Sequence, residues 1–340
     1  MSQKVSIGIV GLPNVGKSTL FQVLTNQEIN VANYPFATID PNVGVVPVPD
    51  ERRDKLAEVS KSKKNIPAVV EFFDIAGLVK GANRGEGLGN QFLSHVRECA
   101  AIVHVVRCFE SEEIIHVEGA PDPGRDIDVI ETELVLKDLE TTGKRLAKAE
   151  ADARTGKKEF VILRDRIRKI YEMLESNTPI FSSPLAEGIK SWGPEVKSLG
   201  LLTAKSQIFL LNGSPSDVTP DLEEKIRSMG ADYIQADLRD RSHVPHLIQK
   251  AYEILGLISF FTTGEDETRA WTIRRGAKAP EAAGAIHTDF EEKFIRAEAI
   301  YWEKLLEAGS WNEARSKGWI RIEGKDYEVQ DGDVLSIRHG

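Results

Sequence analysis

The sequence predicts a three-layer α/β domain, interrupted by a helical hairpin and followed by a smaller α+β domain. Three observations predict it. A glycine loop lies between a strand-like and a helix-like run near the N-terminus. Short apolar runs alternate with helical stripes through residue 256, as in a parallel sheet covered on both faces. From about Leu257 the pattern changes to short strands around a helix. The expected division is 1–125 plus 204–256 for the discontinuous α/β domain, 126–203 for the helical insertion and 257–340 for the last domain.

The loop is Gly11-Leu-Pro-Asn-Val-Gly-Lys17-Ser18-Thr19, the P-loop pattern GxxxxGK[ST]. Val5–Val10 precedes it as a strand, and Leu20, Phe21 and Leu24 follow at helical spacing. Glycines let the backbone wrap a phosphate chain at a helix N-terminus. Lys17 would neutralise the β- and γ-phosphates, and the Ser18 hydroxyl would ligate Mg²⁺.

Residues 33–42 hold two prolines and read as a loop, and Val43–Val48 reads as an edge strand because it contains Pro47. Ala68–Phe73 is a strand that ends in Asp74-Ile-Ala-Gly77. That spacing suits a phosphate sensor, with Asp74 reaching a metal through water and the Gly77 N–H approaching the γ-phosphate. Lys80–Gly89 carries four glycines and is expected to be a switch loop. Gln91–Cys99 reads as a helix and Ala101–Val106 as a buried strand, with His104 as a core or sheet-end histidine.

From Asp126 a Glu-, Lys- and Ala-rich stripe runs to about Ala153, turns at Thr155-Gly156 and resumes from Lys158 to about Glu175. Two long helices joined by a glycine turn make an antiparallel hairpin. Lys144, Arg145, Lys148, Arg154, Lys157 and Lys158 crowd its tip, either as a solvated end or as a phosphate-backbone contact. Thr178–Ser198, rich in Pro, Ser and Gly, is expected to return the chain to the first domain. Gln207–Leu211 and Ala231–Ala236 complete the strands, and His246–Leu255 closes the domain as a helix. In the tail Ala270–Ile273, Trp319–Ile322 and Val334–Ile337 read as strands, Phe290 to about Leu306 as a helix, and Asp331-Gly332-Asp333 as a turn.

Composition sets limits on function. The 340 residues carry a net charge of −9, so the chain as a whole is not a polybasic nucleic-acid binder; DNA is not expected as a partner, and RNA contact would need a local patch. Hydrophobic content of 41% supports sizeable cores. Cys99 and Cys108 show no metal-ligand spacing and are expected as reduced thiols in a cytoplasmic protein. No run of about 18 apolar residues suggests a membrane span.

The segments Gly11–Ser18, Asn33-Tyr-Pro-Phe-Ala-Thr38, Asp74-Ile-Ala-Gly-Leu-Val-Lys-Gly-Ala and Gly85–Leu93 resemble the Obg-like translation-factor GTPases. The helical insertion narrows this resemblance to the YchF (Obg-like ATPase) family. So does the C-terminal run with Arg269–Ile273, Ala282–Glu291 and Gly324–Val334. The resemblance implies an α/β P-loop NTPase of the Ras-like G-domain type with an inserted helical hairpin and a C-terminal β-grasp (TGS) domain. It implies phosphate binding by Asn14, Val15, Gly16, Lys17, Ser18 and Thr19, Mg²⁺ on Ser18 and Thr38 with Asp74 acting through water, and γ-phosphate sensing by Gly77. Asn14 matches a position at which potassium-stimulated relatives hold K⁺, the alternative being a loop-shaping hydrogen bond. The family is expected to bind ribosomes or ribosomal RNA, to prefer ATP, and to act in translation or stress control.

Two departures shape the rest. GTPases read guanine with an Asn-Lys-x-Asp carboxylate, YchF-like proteins have Asn-x-x-Glu, and this chain has Asn212-Gly-Ser-Pro215 with Asp217 two residues late. Losing a charged hydrogen bond of this kind costs about 1.5–3 kcal/mol, which weakens guanine selection. ATP is therefore favoured, GTP or dual use being the alternative, with Asn212 and the Gly213 backbone as purine contacts. Leu78 stands where many GTPases have a water-orienting Gln. The resemblance points instead to His116, in the loop entering the insertion, as the group that orients water. The leading expectation is a ribosome-linked ATPase switch. A nucleotide-stabilised scaffold with negligible turnover and a small-molecule kinase are the alternatives.

Overall fold

The computed structural model describes residues 6–25, 43–74, 96–97, 99–111, 121–240 and 244–340. The chain opens on β1 (Ser6–Val10), α1 (Lys17–Thr25), β2 (Val43–Pro47), α2 (Glu51–Ser60), β3 (Lys64–Ile66), β4 (Val69–Asp74) and β5 (Ala101–Arg107). It continues through α3 (Pro123–Ala153), α4 (Lys158–Glu175), α5 (Leu185–Ser191), α6 (Pro194–Lys197), β6 (Ser206–Asn212), α7 (Pro220–Ser228), β7 (Asp232–Ala236) and α8 (Val244–Ile254). The last part holds β8 (Leu257–Thr263), β9 (Glu267–Arg274), α9 (Ala279–Ile286), α10 (Thr288–Glu292), β10 (Phe294–Tyr301), α11 (Trp302–Ala308), α12 (Trp311–Ser316), β11 (Arg321–Glu323) and β12 (Asp333–His339). Among the described residues no helix is long and apolar enough to cross a membrane.

Two compact units result. Ser6–Val23 and Phe72–Arg241 make one; Leu24–Glu71 and Ser242–Gly340 belong to the other. The first is built on parallel strands: β1 pairs with β5, β5 with β6 and β6 with β7. Strand order is β4-β1-β5-β6-β7, with β4 crossing the division and β2, which carries Pro47, at the edge beyond it. β1 and β5 are buried along their whole length, as expected of parallel strands covered on both faces. His104 is 1% exposed on β5 and lies 5.1 Å from the Phe209 ring, so it is a core histidine.

The helical hairpin follows from local sequence. Asp122 caps α3 by accepting from the Arg125 N–H at 3.0 Å, and Pro123 occupies the first turn, where its missing N–H costs nothing. The helix thus starts three residues before the expected Asp126. Gly156 turns the chain at φ +73°. Thr178–Ser198 is more than a return path: it contains α5 and α6, and Ile180, Ile189 and Val196 pack with Val135, Ile170 and Leu174 in one core. Asp138 on α3, fully buried, accepts from the Leu202 N–H (2.9 Å), the Thr203 N–H (2.8 Å) and the Thr203 hydroxyl (2.7 Å). It fastens the end of the insertion to its beginning.

The second unit has a mixed sheet in the order β11-β10-β12-β8-β9-β3. Its core includes Ile258, Phe260, Ala282, Ala283, Ala297, Ala299 and Leu335. One expectation is corrected. Residues 294–301 are the strand β10, flanked by the short helices α10 and α11, and not the middle of a helix from Phe290 to Leu306. Glu, Arg and Ala favour a helix locally, but β10 pairs antiparallel with β11 on one side and β12 on the other. Ala297 and Ala299 are small enough to lie flat beneath α9, and tertiary pairing overrides propensity.

A second difference concerns Leu24–Glu71, which the sequence grouped with the first domain. β3 pairs in parallel with β9, Lys64 opposite Glu267. Arg52 on α2 bonds Asp50 (2.7 Å) and Asp331 (2.8 Å) and lies over the Phe261 ring at 5.3 Å. The Ser62 hydroxyl donates to the Gly264 carbonyl at 2.6 Å. β3 is therefore a strand of the C-terminal sheet, and α2 belongs to the same unit.

Candidate nucleotide-binding site

The P-loop connects β1 to α1 with a backbone that side chains would obstruct. Gly11 has φ +147°, and a Cβ there would come within 2.4 Å of the Val105 carbonyl oxygen. Gly16 has φ +108°, and its Cβ would meet the Asn212 Nδ2 at 2.5 Å. Asn14 also takes the left-handed region at φ +62°, which Asn tolerates better than most residues. Val15 is buried and anchors the loop, whereas Asn14, Ser18 and Thr19 are exposed. The Lys17 ammonium donates to the carbonyls of Gly11 (2.9 Å) and Leu12 (2.6 Å), spanning the loop that it would share with phosphates. The Leu20 N–H donates to the Gly16 carbonyl at 2.8 Å, in the first turn of α1.

Asn212 ends β6 and ties the site together. Its Nδ2 donates to the Val15 carbonyl at 2.9 Å, and its Oδ1 accepts from the Leu238 N–H at 3.3 Å. Gly213 donates to the Ala236 carbonyl at 3.3 Å and accepts from the Gln235 side chain. Of the expected purine contacts, Asn212 thus stands directly behind the P-loop, and both it and Gly213 are already braced by the protein. Replacing Gly16 with Ala should displace Asn212 and strain the backbone. The expected result is a loss of nucleotide affinity of at least about tenfold, with a lowered melting temperature, read by titration and thermal denaturation.

Sequence reasoning missed the role of Asp217. Its Oδ2 accepts from the Ser214 N–H and from the Ser214 hydroxyl, both at 2.7 Å. The signal was present: Ser214-Pro-Ser-Asp217 is the S-x-x-D capping pattern with Pro at the first helical position. It also missed Phe109, whose ring has the Arg107 guanidinium over it at 4.7 Å and the Arg239 guanidinium at 5.8 Å. The neighbouring Cys108 N–H donates to the Asn212 carbonyl at 2.9 Å. Burial, with Asp217 and Asp126 nearby, pushes the Cys108 thiol up to about 12, so it is not a nucleophile near neutral pH. Asp74 closes β4, while Thr38, Gly77 and His116 lie outside the described residues.

Comparison with known proteins gives this arrangement a family. A model described as a 50S ribosome-binding GTPase matches residues 6–138, and the C-terminal YchF-GTPase model, described as a protein of unknown function, matches 257–340. The ribosome-binding ATPase YchF of Bacillus subtilis is 43% identical across 98% of this chain and 99% of that protein. The chain belongs to the YchF family. Human Obg-like ATPase 1 is 42% identical over 98% of this chain and 92% of its own length. The solved YchF GTPase of Schizosaccharomyces pombe matches with a TM-score of 0.81 and 40% identity, over 98% of both chains. The α/β P-loop NTPase fold expected from the sequence is thereby that of the YchF proteins.

Proposed function

We propose that this YchF-family chain is a Mg²⁺-dependent ATPase that acts as a conformational switch on the ribosome, in the cytoplasm, in translation or stress control. The observation that carries the reading is the P-loop backed by Asn212, with Lys17 spanning it and Ser18 exposed at the start of α1. The names of its relatives, ribosome-binding ATPases from Bacillus subtilis and Haemophilus influenzae, support the nucleotide and the partner.

The chemistry follows from the chain's own groups. The N–H groups of residues 14–19 and the Lys17 ammonium hold the triphosphate and gather the charge that develops toward its β–γ bridge. Water attacks the γ-phosphorus in line, the bridging P–O bond breaks, and ADP leaves with that oxygen. His116 orients the attacking water and takes its proton, and the Gly77 N–H contacts the γ-phosphate. Among the described residues no group of three His, Cys, Asp or Glu side chains forms a protein cage for a metal. Ser18, Thr38 and, through water, Asp74 would hold Mg²⁺ with the few oxygen contacts that suit it, and the ion would offset phosphate charge when bound.

The segment from Val43 to Glu71 supports a switch. In sequence it runs between Thr38 and Gly77, and its α2 and β3 belong to the unit built on the C-terminal sheet. A change around either residue on hydrolysis therefore pulls on chain that is built into the second unit.

Two measurements test this reading. Calorimetric titration with non-hydrolysable ATP and GTP analogues in Mg²⁺ is expected to give tighter ATP binding; clearly tighter GTP binding would overturn the assignment. Replacing His116 with Ala should lower turnover by about 10²-fold or more and leave nucleotide affinity nearly intact. Unchanged turnover would remove His116 from the mechanism.

A further inference from the structure

A cavity of about 510 Å³ opens beside β12 in the second unit. It is lined by four consecutive residues of that strand, Leu335–Arg338, and by Thr262 and Thr263 at the end of β8. Successive side chains on a strand point to opposite faces, so a cavity that touches consecutive residues lies in the plane of the sheet. The strand pairing gives the reason. β12 pairs with β10 from Asp333 to His339, whereas its register with β8 consists of Val334 against Phe261. β8 ends at Thr263, and the chain turns into β9. From Leu335 onward β12 thus has a ladder partner on one side, and its other side presents alternate N–H and C=O groups to the cavity.

We infer that this slot binds an extended peptide as an added strand beside β12, with apolar and acidic side chains in alternation. The two faces of the slot differ in chemistry. On the face covered by α9, Trp271, Ile286, Phe290, Leu335 and Ile337 belong to the apolar core or pack against it. The Trp271 indole N–H already donates to the Thr262 hydroxyl at 2.9 Å, and Glu267 is met by Arg269 at 4.0 Å, so this face suits an apolar side chain. On the opposite face α12 brings Arg315 to Glu298 at 2.9 Å, and Arg338 reaches the same carboxylate at 3.5 Å. Two guanidiniums on one carboxylate leave one positive charge, and the arginine side chains are 54% and 53% exposed. An extended peptide meets both demands. Its side chains alternate with the same period of two, and its main chain can continue the ladder that β8 leaves off. A nucleic-acid strand fits less well, because Glu267 and Glu298 balance Arg315 and Arg338 among the lining charges. That balance suits a single carboxylate and not a run of phosphates.

The slot lies within the second unit, so the inference stands apart from the nucleotide and is tested on the full chain without it. The probe is a fluorescein-labelled, end-capped Val-Asp-Val-Asp-Val peptide, titrated by fluorescence anisotropy beside its Val-Lys-Val-Lys-Val counterpart and an oligouridine. The acidic peptide is expected to bind at least about tenfold more tightly than the basic one. Arg315→Glu combined with Arg338→Glu should reverse that order, and both positions are exposed enough for the variant to fold. N-methylation of the acidic peptide's amides should abolish binding, because an added strand needs its N–H groups. Hydrogen exchange at residues 335–338 should slow when the unmodified peptide is bound. Equal affinity for the two peptides, or acidic-peptide affinity that the charge reversal leaves within about twofold of wild type, overturns the inference. Absence of acidic-peptide binding up to about 1 mM does the same. Oligouridine that binds the wild type but not the double variant, where the acidic peptide fails, assigns the slot to nucleic acid and likewise overturns it.

Discussion

Replacing Lys17 with Ala lowers ATP turnover by about 10²–10³-fold, with much weakened nucleotide binding. Lys17 carries the one positive charge within the P-loop motif, at a position from which its ammonium already reaches across to Gly11 and Leu12. When phosphate oxygens occupy the loop, the same ammonium can meet the charge that grows as the β–γ bond breaks. A methyl group offers neither charge nor donor. Arginine should not rescue the variant, because its planar fork cannot replace a compact ammonium in a loop whose glycines leave no room for rearrangement. Single-turnover hydrolysis separates this loss from product release, and circular dichroism checks that the variant remains folded.

Replacing Asp138 with Ala destabilises the unit that holds the insertion by about 3–5 kcal/mol, visible as an earlier denaturant midpoint with an unchanged slope. The carboxylate is fully buried and receives three hydrogen bonds, two from backbone N–H groups that have no route to solvent if it is removed. Burial raises the Asp138 carboxyl above the ordinary carboxylate range, outweighing the Thr203 and Leu202 donors and the Arg97 charge that favour its ionised form. The sign of the pH dependence follows. The native state binds a proton more readily than the unfolded state, so stability from this group is complete below the ordinary carboxylate range. It then falls as pH rises through the raised native value. The stability of wild type relative to Asp138→Asn should therefore decline as pH rises across that window and level off above it.

These residues differ in how plainly the sequence announced them. The P-loop was legible because glycine, lysine and hydroxyl spacing follows from wrapping phosphate, whatever surrounds it. The helical hairpin was legible from its apolar stripes and from Gly156, since helix signals are local. Asp138 was not, because an acidic residue in a charged helix looks solvated and its partners stand 64 and 65 residues away. β10 was hidden for a related reason: pairing with β11 and β12 determines its form, and Glu, Arg and Ala suggest a helix when read alone. The place of β3 in the C-terminal sheet rests on parallel pairing across about two hundred residues, for which no short-range pattern exists. At the site, Asp217 seemed merely displaced from a motif, yet its S-x-x-D spacing to Ser214 already described the bond that it makes.

The most direct test of the switch is the ATP hydrolysis rate of the full chain, measured with Mg²⁺ in the presence and absence of ribosomes. A ribosome-linked switch turns over slowly alone, because Leu78 cannot orient water, and shows a clear rise when ribosomes are added. A rate that ribosomes leave unchanged would contradict it.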